Sequence, residues 1–352
     1  MPKDPMRAAR QLLLRGIEAG ATPGATVHVS RYGETIWREA LGTTDGTTPT
    51  TLDTRYDLAS LTKPIATAAT VVAIAARGDL LLSSPIADVL GSDGAAFPGI
   101  TVRHLLTHTS GLPAWIACHA AGPGLPAAVA AIAGAPCAAP GSRYEYSCLG
   151  YILLAAIVEH VAGAPLDQVA RRHVFKPFGG RSLGFRPGPV PGVAPTVSRE
   201  GTEAELPVVL RGVVHDGNAR AIESAGASVS GNAGLFGAVD DVAAFGSAVC
   251  GWGKRRRQLW SDPVRHAFLD PCSEPAGHTL GLFCAPNPLV PSGDLFSPRA
   301  VGHSGYTGTA LLIDPEHDVV VAVLANAVFG EGKADWLVLR RRLMTAIAAA
   351  LP

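Results

Sequence analysis

Charge is scarce in this chain of 352 residues: Asp, Glu, Lys and Arg make up 16% of it, where soluble domains carry about 25%. Basic and acidic residues number 29 each, so no formal net charge remains. That balance argues against nucleic acid as a partner, because binding a polyanion rests on many phosphate-neutralising cations. Long disorder is excluded as well, since 47% of the residues are apolar and disordered chains combine low hydrophobicity with high net charge. The six cysteines, at 118, 137, 148, 250, 272 and 284, form no CxxC pair and are expected as reduced thiols. A membrane-spanning run is missing too. The long stretch 105–142, free of Asp, Glu, Lys and Arg, is broken by Pro113, Pro123, Pro126, Pro136 and Pro140. Near the N-terminus the longest apolar run is Leu12–Leu14, closed by Arg15, too short for a secretory signal. A cytoplasmic protein is expected, opening on a short amphipathic helix.

What is present is alternation and helical spacing in a particular order. Residues 25–30 and 35–41 read as two strands joined by Arg31-Tyr32-Gly33-Glu34, a hairpin. A helix is predicted over 61–76, ended by Arg77-Gly78, a short one over 100–109, and an apolar one over 149–161. Residues 177–200, rich in Pro and Gly, read as loop. A second hairpin joins 309–313 to 319–324 through Asp314-Pro315-Glu316-His317, and 333–351 has helical character. The fold class is therefore α/β in the α+β sense. An antiparallel sheet is built from the N- and C-terminal segments and flanked by helices, and a mainly helical lobe lies beside it. One domain over 1–350 is expected, with an α/β lobe at about 1–59 and 240–352 and a helical lobe at about 60–239. The groove between the lobes is the expected binding site.

Three segments carry chemistry. In Asp57-Leu58-Ala59-Ser60-Leu61-Thr62-Lys63, Ser60 stands at a helix start and Lys63 follows three residues on, on the same helical face. A serine hydroxyl is a poor nucleophile until a neighbour takes its proton, and a buried lysine can do so. The helix start also offers free N–H groups for an oxyanion. With 19 serines and 5 lysines, such a spacing arises by chance in about one chain in four, yet this is the only one here. The second segment, Tyr144-Glu145-Tyr146-Ser147-Cys148, precedes the apolar helix. A tyrosine hydroxyl near an ammonium can relay protons, although tyrosines capping a core are the commoner case. The third, Gly302-His303-Ser304-Gly305-Tyr306, enters the last strand pair, where glycines permit close backbone approach.

In this order, S-x-x-K, Y-S-x and H-S-G resemble the serine β-lactamase and penicillin-binding-protein superfamily, closest to its class C β-lactamase-like branch with DD-peptidases and carboxylesterases. The flanking residues 57–64, 101–113, 146–159 and 302–316 share the likeness. Residues 215–219 and 232–236 resemble one subgroup of penicillin-binding-protein-like hydrolases. The resemblance spans about 20–330. It implies Ser60 as the acylated nucleophile, Lys63 as its base or relay, and Tyr146 as the proton exchanger. His303 stands where a lysine is usual, and the Ser60 and Tyr306 N–H groups form the oxyanion hole. Cys148, Ser304 and Gly305 are expected against the substrate. The family usually has Asn or Asp where this chain has Cys148, so a changed substrate preference is expected.

Other chemistries find less support. His104 and His108 are four apart, but without HExxH or CxxC they read as packing or loop-bonding histidines, and no metal or cofactor is expected. G-x-x-x-x-G-K-[ST] is absent. The basic run 254–257 reads as a solvated loop. The expected function is hydrolysis of a small amide, peptide or ester through an acyl-enzyme, a D-alanyl muropeptide being one such substrate. Alternatives are a carboxylesterase of the same fold, or a penicillin-binding or sensing protein that has lost turnover.

Overall fold

The computed structural model describes residues 5–198, 208–252, 258–271, 277–285, 287, 289–330 and 332–351. Its main sheet has six strands in the order Glu34–Gly42, Gly24–Arg31, Val319–Ala325, Ala310–Asp314, Val301–Ser304 and Phe283–Cys284, every pair antiparallel. The two ends of the chain meet at its centre, where Ala25 pairs with Ala325 and Arg31 with Val319. The first expected hairpin closes through Tyr32 and Gly33, both at positive φ (51° and 76°). A two-residue turn of that kind matches the right-handed twist of the strands it joins.

Val319–Ala325 is buried on both faces, which is why it reads as an unbroken apolar run. Its alternate residues serve two cores. Val319, Val321 and Val323 pack with Ala9 and Leu13 of the helix Arg7–Glu18 and with Trp336, Leu343 and Ile347 of the helix Lys333–Ala349. Val320, Ala322 and Leu324 pack with Val242, Phe245 and Val249 of the helix Val239–Cys250. That helix comes close to the sheet at Gly246, where a Cβ would lie 2.6 Å from Val320 Cγ1.

The helical lobe is built around Cys148–Ala162, whose buried residues run from Leu149 to Val158 on nearly every face. A helix apolar all round needs neighbours on all sides; Ile86–Leu90, Val102–Leu106, Leu125–Ala133 and Leu166–Ala170 supply them. Thr101 caps Val102–Leu106, its side chain taking the His104 N–H while His104 Nδ1 takes the Thr101 N–H. His104 is thereby a capping residue.

Two expectations are revised. The helix foreseen over 61–76 is three pieces: a 3₁₀ turn Ala59–Leu61, a π-helical stretch Lys63–Ala68 and an α-helix Ala69–Ala76. Pro64 accounts for the wide turn, because its ring would clash with the carbonyl four residues back. The loop foreseen over 177–200 contains strands. Gly184–Phe185 pairs with Leu235–Gly237, which pairs with Tyr56–Asp57, and Thr196–Ser198 pairs with Val208–Leu210. Strands of two or three residues are too short to show a period. The basic run at 254–257 lies outside the described residues. Ala59–Ala76 is long and apolar enough to cross a membrane, but 78% of it is buried inside the fold, as in a core helix.

Candidate active site

The small sheet delivers the chain to Ser60. Tyr56–Asp57 pairs with Leu235–Gly237, and the Leu58 N–H continues the ladder to the Leu235 carbonyl at 2.8 Å. The backbone then turns sharply at Ala59, whose φ is +48°. A non-glycine residue there costs about 1–2 kcal/mol, so surrounding contacts must hold it. Thr307 Oγ1 donates to the Asp57 carbonyl at 2.7 Å, Thr309 Oγ1 to the Leu58 carbonyl at 3.0 Å, and Thr62 Oγ1 to the Ala59 carbonyl at 2.6 Å.

Lys63 lies on the next helical turn, fully buried, and its Nζ donates to Ser60 Oγ at 3.1 Å, to the Asn232 carbonyl at 2.9 Å and to Cys148 Sγ at 3.5 Å. The Tyr146 ring stands 5.0 Å from the ammonium, and its hydroxyl reaches both Lys63 and Ser60. Burial pushes the Tyr146 phenol above its ordinary value, against the pull of Lys63. On Lys63 burial acts to neutralise the amine, but Cys148 and Tyr146 outweigh it and hold the pKa above the usual lysine range. The expected trio of Ser60, Lys63 and Tyr146 is therefore assembled in one place.

A cavity of about 680 Å³ opens over Ser60, lined by Trp115, Tyr146, Cys148, His215, Asp216 and Tyr306. Cys148 is in its expected place at the head of its helix, capped by Ser147, and it also receives the lysine. Tyr306 is 60% exposed, with its ring 5.4 Å from that of His215 and the Lys333 ammonium over its face. No acceptor among the described residues takes the Tyr306 N–H.

The third motif is placed differently from expectation. His303 is 1% exposed and lies behind Tyr146, its ring 5.9 Å from the tyrosine and 4.8 Å from Phe283. Its Nδ1–H donates to the Ser304 carbonyl at 2.9 Å, and Nε2 meets no partner among the described residues. Burial, with Lys63 nearby, drives its pKa well below that of a free histidine. A neutral, covered ring does not suit the place where the family usually has a charged lysine. Ser304 and Gly305 do not line the cavity either. Gly305 lies close to the turn before Ser60: a Cβ there would lie 2.1 Å from Thr309 Oγ1, 2.5 Å from the Leu58 carbonyl oxygen and 3.3 Å from Ala59 Cβ.

His303 belongs to a buried group of rings with His108, His278, Phe283 and Tyr146. His108 Nδ1 accepts the Ser147 N–H at 3.1 Å, which orients the Tyr146–Cys148 segment. Sequence reasoning missed Trp115, Asp216 and Lys333, which line the cavity. It also passed over Asp57, although that residue lies inside the first motif. Only 215–219 and 232–236 left a trace, through their resemblance to one subgroup of hydrolases.

Fold and site together define a class, in which a serine–lysine pair sits between an antiparallel sheet and a helical lobe. The chain belongs to the Beta-lactamase family, which it matches over residues 9–343. It is 35% identical over 253 residues to esterase EstB of Burkholderia gladioli, covering 62% of this chain and 63% of that protein. It is 29% identical over 357 residues to a putative D-alanyl-D-alanine carboxypeptidase of Escherichia coli O157:H7, covering 88% and 79%. The fold matches that of EstCE1, a hydrolase with promiscuous acyltransferase activity. The TM-score is 0.78 at 21% identity, with 97% and 98% of the two chains covered. The octameric penicillin-binding protein homologue from Pyrococcus abyssi gives 0.73 at 21% identity, over 97% and 76%.

Proposed function

We propose that the protein is a serine hydrolase working through an acyl-Ser60 enzyme on a small amide, peptide or ester. The observation that carries this is the 3.1 Å contact between Lys63 Nζ and Ser60 Oγ at the floor of a 680 Å³ cavity. In the reading offered, Ser60 Oγ bonds to the substrate carbonyl carbon as its proton passes to the Lys63–Tyr146 pair in its singly deprotonated form. The oxyanion is held by the N–H groups of Ser60 and Tyr306. On collapse the pair returns the proton to the leaving group, and water then releases the acyl chain by the reverse route. One catalytic unit, with lobes at about 1–59 and 240–352 and at about 60–239, fits the family match over 9–343.

Esters are the substrates the site favours. Where the family carries an amide or carboxylate, Cys148 offers a weak donor and acceptor, and amide leaving groups need more help than alkoxides. A D-alanyl peptide, with its free carboxylate, is the second reading; Lys333 is the amine on the cavity wall that suits such an anion. A cytoplasmic setting accords with the free thiols of Cys118, Cys137, Cys148 and Cys250.

The test is labelling with a fluorescent penicillin and a fluorophosphonate, followed by peptide mapping, with Ser60→Ala as control. A Ser60 adduct from both supports peptidase-like action, and from the fluorophosphonate alone supports the esterase. No adduct from either, on folded protein, rejects the enzyme and leaves a binding or sensing role.

A further inference from the structure

Asp57 is 2% exposed, and its carboxylate spans two parts of the site. Oδ1 accepts the Ala59 N–H at 2.8 Å, and Oδ2 accepts the His215 N–H at 2.7 Å. One donor belongs to the left-handed residue immediately before Ser60, and the other to the cavity wall that continues into Asp216. The threonine hydroxyls around the turn all reach its carbonyls. The carboxylate holds the Ala59 N–H itself, the group whose direction fixes φ at that residue. A buried carboxylate is costly to keep, and a chain needing only a filled core position has cheaper residues available.

We propose that Asp57 is a positioning residue that locks Ala59 in its left-handed conformation, aims Ser60 Oγ at Lys63 and ties the nucleophile's turn to the His215 wall. This rests on the hydrolase reading, which labelling of wild-type Ser60 checks separately. An asparagine at 57 keeps the shape but turns an amide NH₂ toward one of the two N–H groups, so one clasp opens. Glycine at 59 adopts positive φ without restraint and removes the need for that clasp.

The experiment is a double-mutant cycle of Asp57→Asn and Ala59→Gly, with ester kinetics, the rate of fluorophosphonate labelling and thermal melting. Asp57→Asn is expected to lower kcat by roughly tenfold to a hundredfold, the loss typical of a slightly misplaced reacting group. KM should move by less than about threefold, because the lost interaction serves chemistry rather than ground-state binding. In the Ala59→Gly background the same substitution should cost only a small part of that factor. An equal loss in both backgrounds, or wild-type kcat in Asp57→Asn, overturns the proposal. If Asp57→Asn folds only alongside Ala59→Gly, the proposal stands; if neither variant folds, Asp57 determines the fold and the proposal fails.

Discussion

At the residue scale, Cys148 stands where the family resemblance leads one to expect Asn or Asp. Its Sγ takes the Lys63 ammonium at 3.5 Å from the head of its helix and also faces the cavity. An asparagine in that place would accept from Lys63 through its oxygen and present N–H groups to a substrate carbonyl. Cys148→Asn is therefore expected to raise kcat/KM for an amide by about tenfold, equivalent to about 1.4 kcal/mol of transition-state stabilisation. Ester turnover should change less. Steady-state kinetics on a matched amide and ester pair measures this, and unchanged amide kinetics would refute the role. Ser60, Lys63, Tyr146 and Cys148 were readable because their chemistry depends on residue type and short spacing. The placement of His303 was not, because burial is decided by Phe283 and Tyr146, far away in the sequence.

At the scale of elements, the site depends on three backbone segments touching: the Ala59–Leu61 turn, the head of Cys148–Ala162 and the loop after Val301–Ser304. Gly305 sets the closest of these contacts. Alanine there would put its Cβ 2.1 Å from Thr309 Oγ1 and 2.5 Å from the Leu58 carbonyl oxygen, and backbone cannot step aside cheaply. Gly305→Ala should push the last loop away from the Ala59–Leu61 turn and, on the proposed acyl-Ser60 route, lower kcat by at least about tenfold. The melting temperature should drop with it. A variant with wild-type kcat would show that the two segments need not touch. The sequence disclosed the long elements, since 149–161 and 319–324 are apolar runs and 25–30 alternates, each set off by turn residues. It concealed the two-residue strands Tyr56–Asp57 and Gly184–Phe185 and the π-helical stretch, which arise from pairing and from Pro64 rather than from pattern.

For the whole molecule, buried titratable groups set a pH at which the fold is firmest. Burial lowers His278 to about 4 and holds His108 and His303 well below 6.5. As pH falls below 6.5 the unfolded chain takes up protons that these three refuse, so their stability, full above 6.5, is lost toward pH 4. His104 and His173, also lowered, act in the same sense. Buried carboxyls act in the opposite sense. Glu223, raised to about 8, and Asp57, raised to about 6, bind protons in the folded state before the unfolded chain does, so acidification favours folding through each. Between pH 8 and 6.5 Glu223 acts with little opposition, and below 6.5 the histidines outnumber the carboxyls. The melting temperature should therefore rise gently from pH 8 to about 6.5 and fall steadily from there to about 4. Scanning calorimetry at constant ionic strength measures the profile. Glu223→Gln should flatten the alkaline side and steepen the acid side, which that carboxyl opposes down to about pH 4.5, whereas His278→Asn should soften the acid side alone. A melting temperature still climbing at pH 5 would mean that the histidines are protonated in the fold, and the neutral ring assigned to His303 would have to be abandoned.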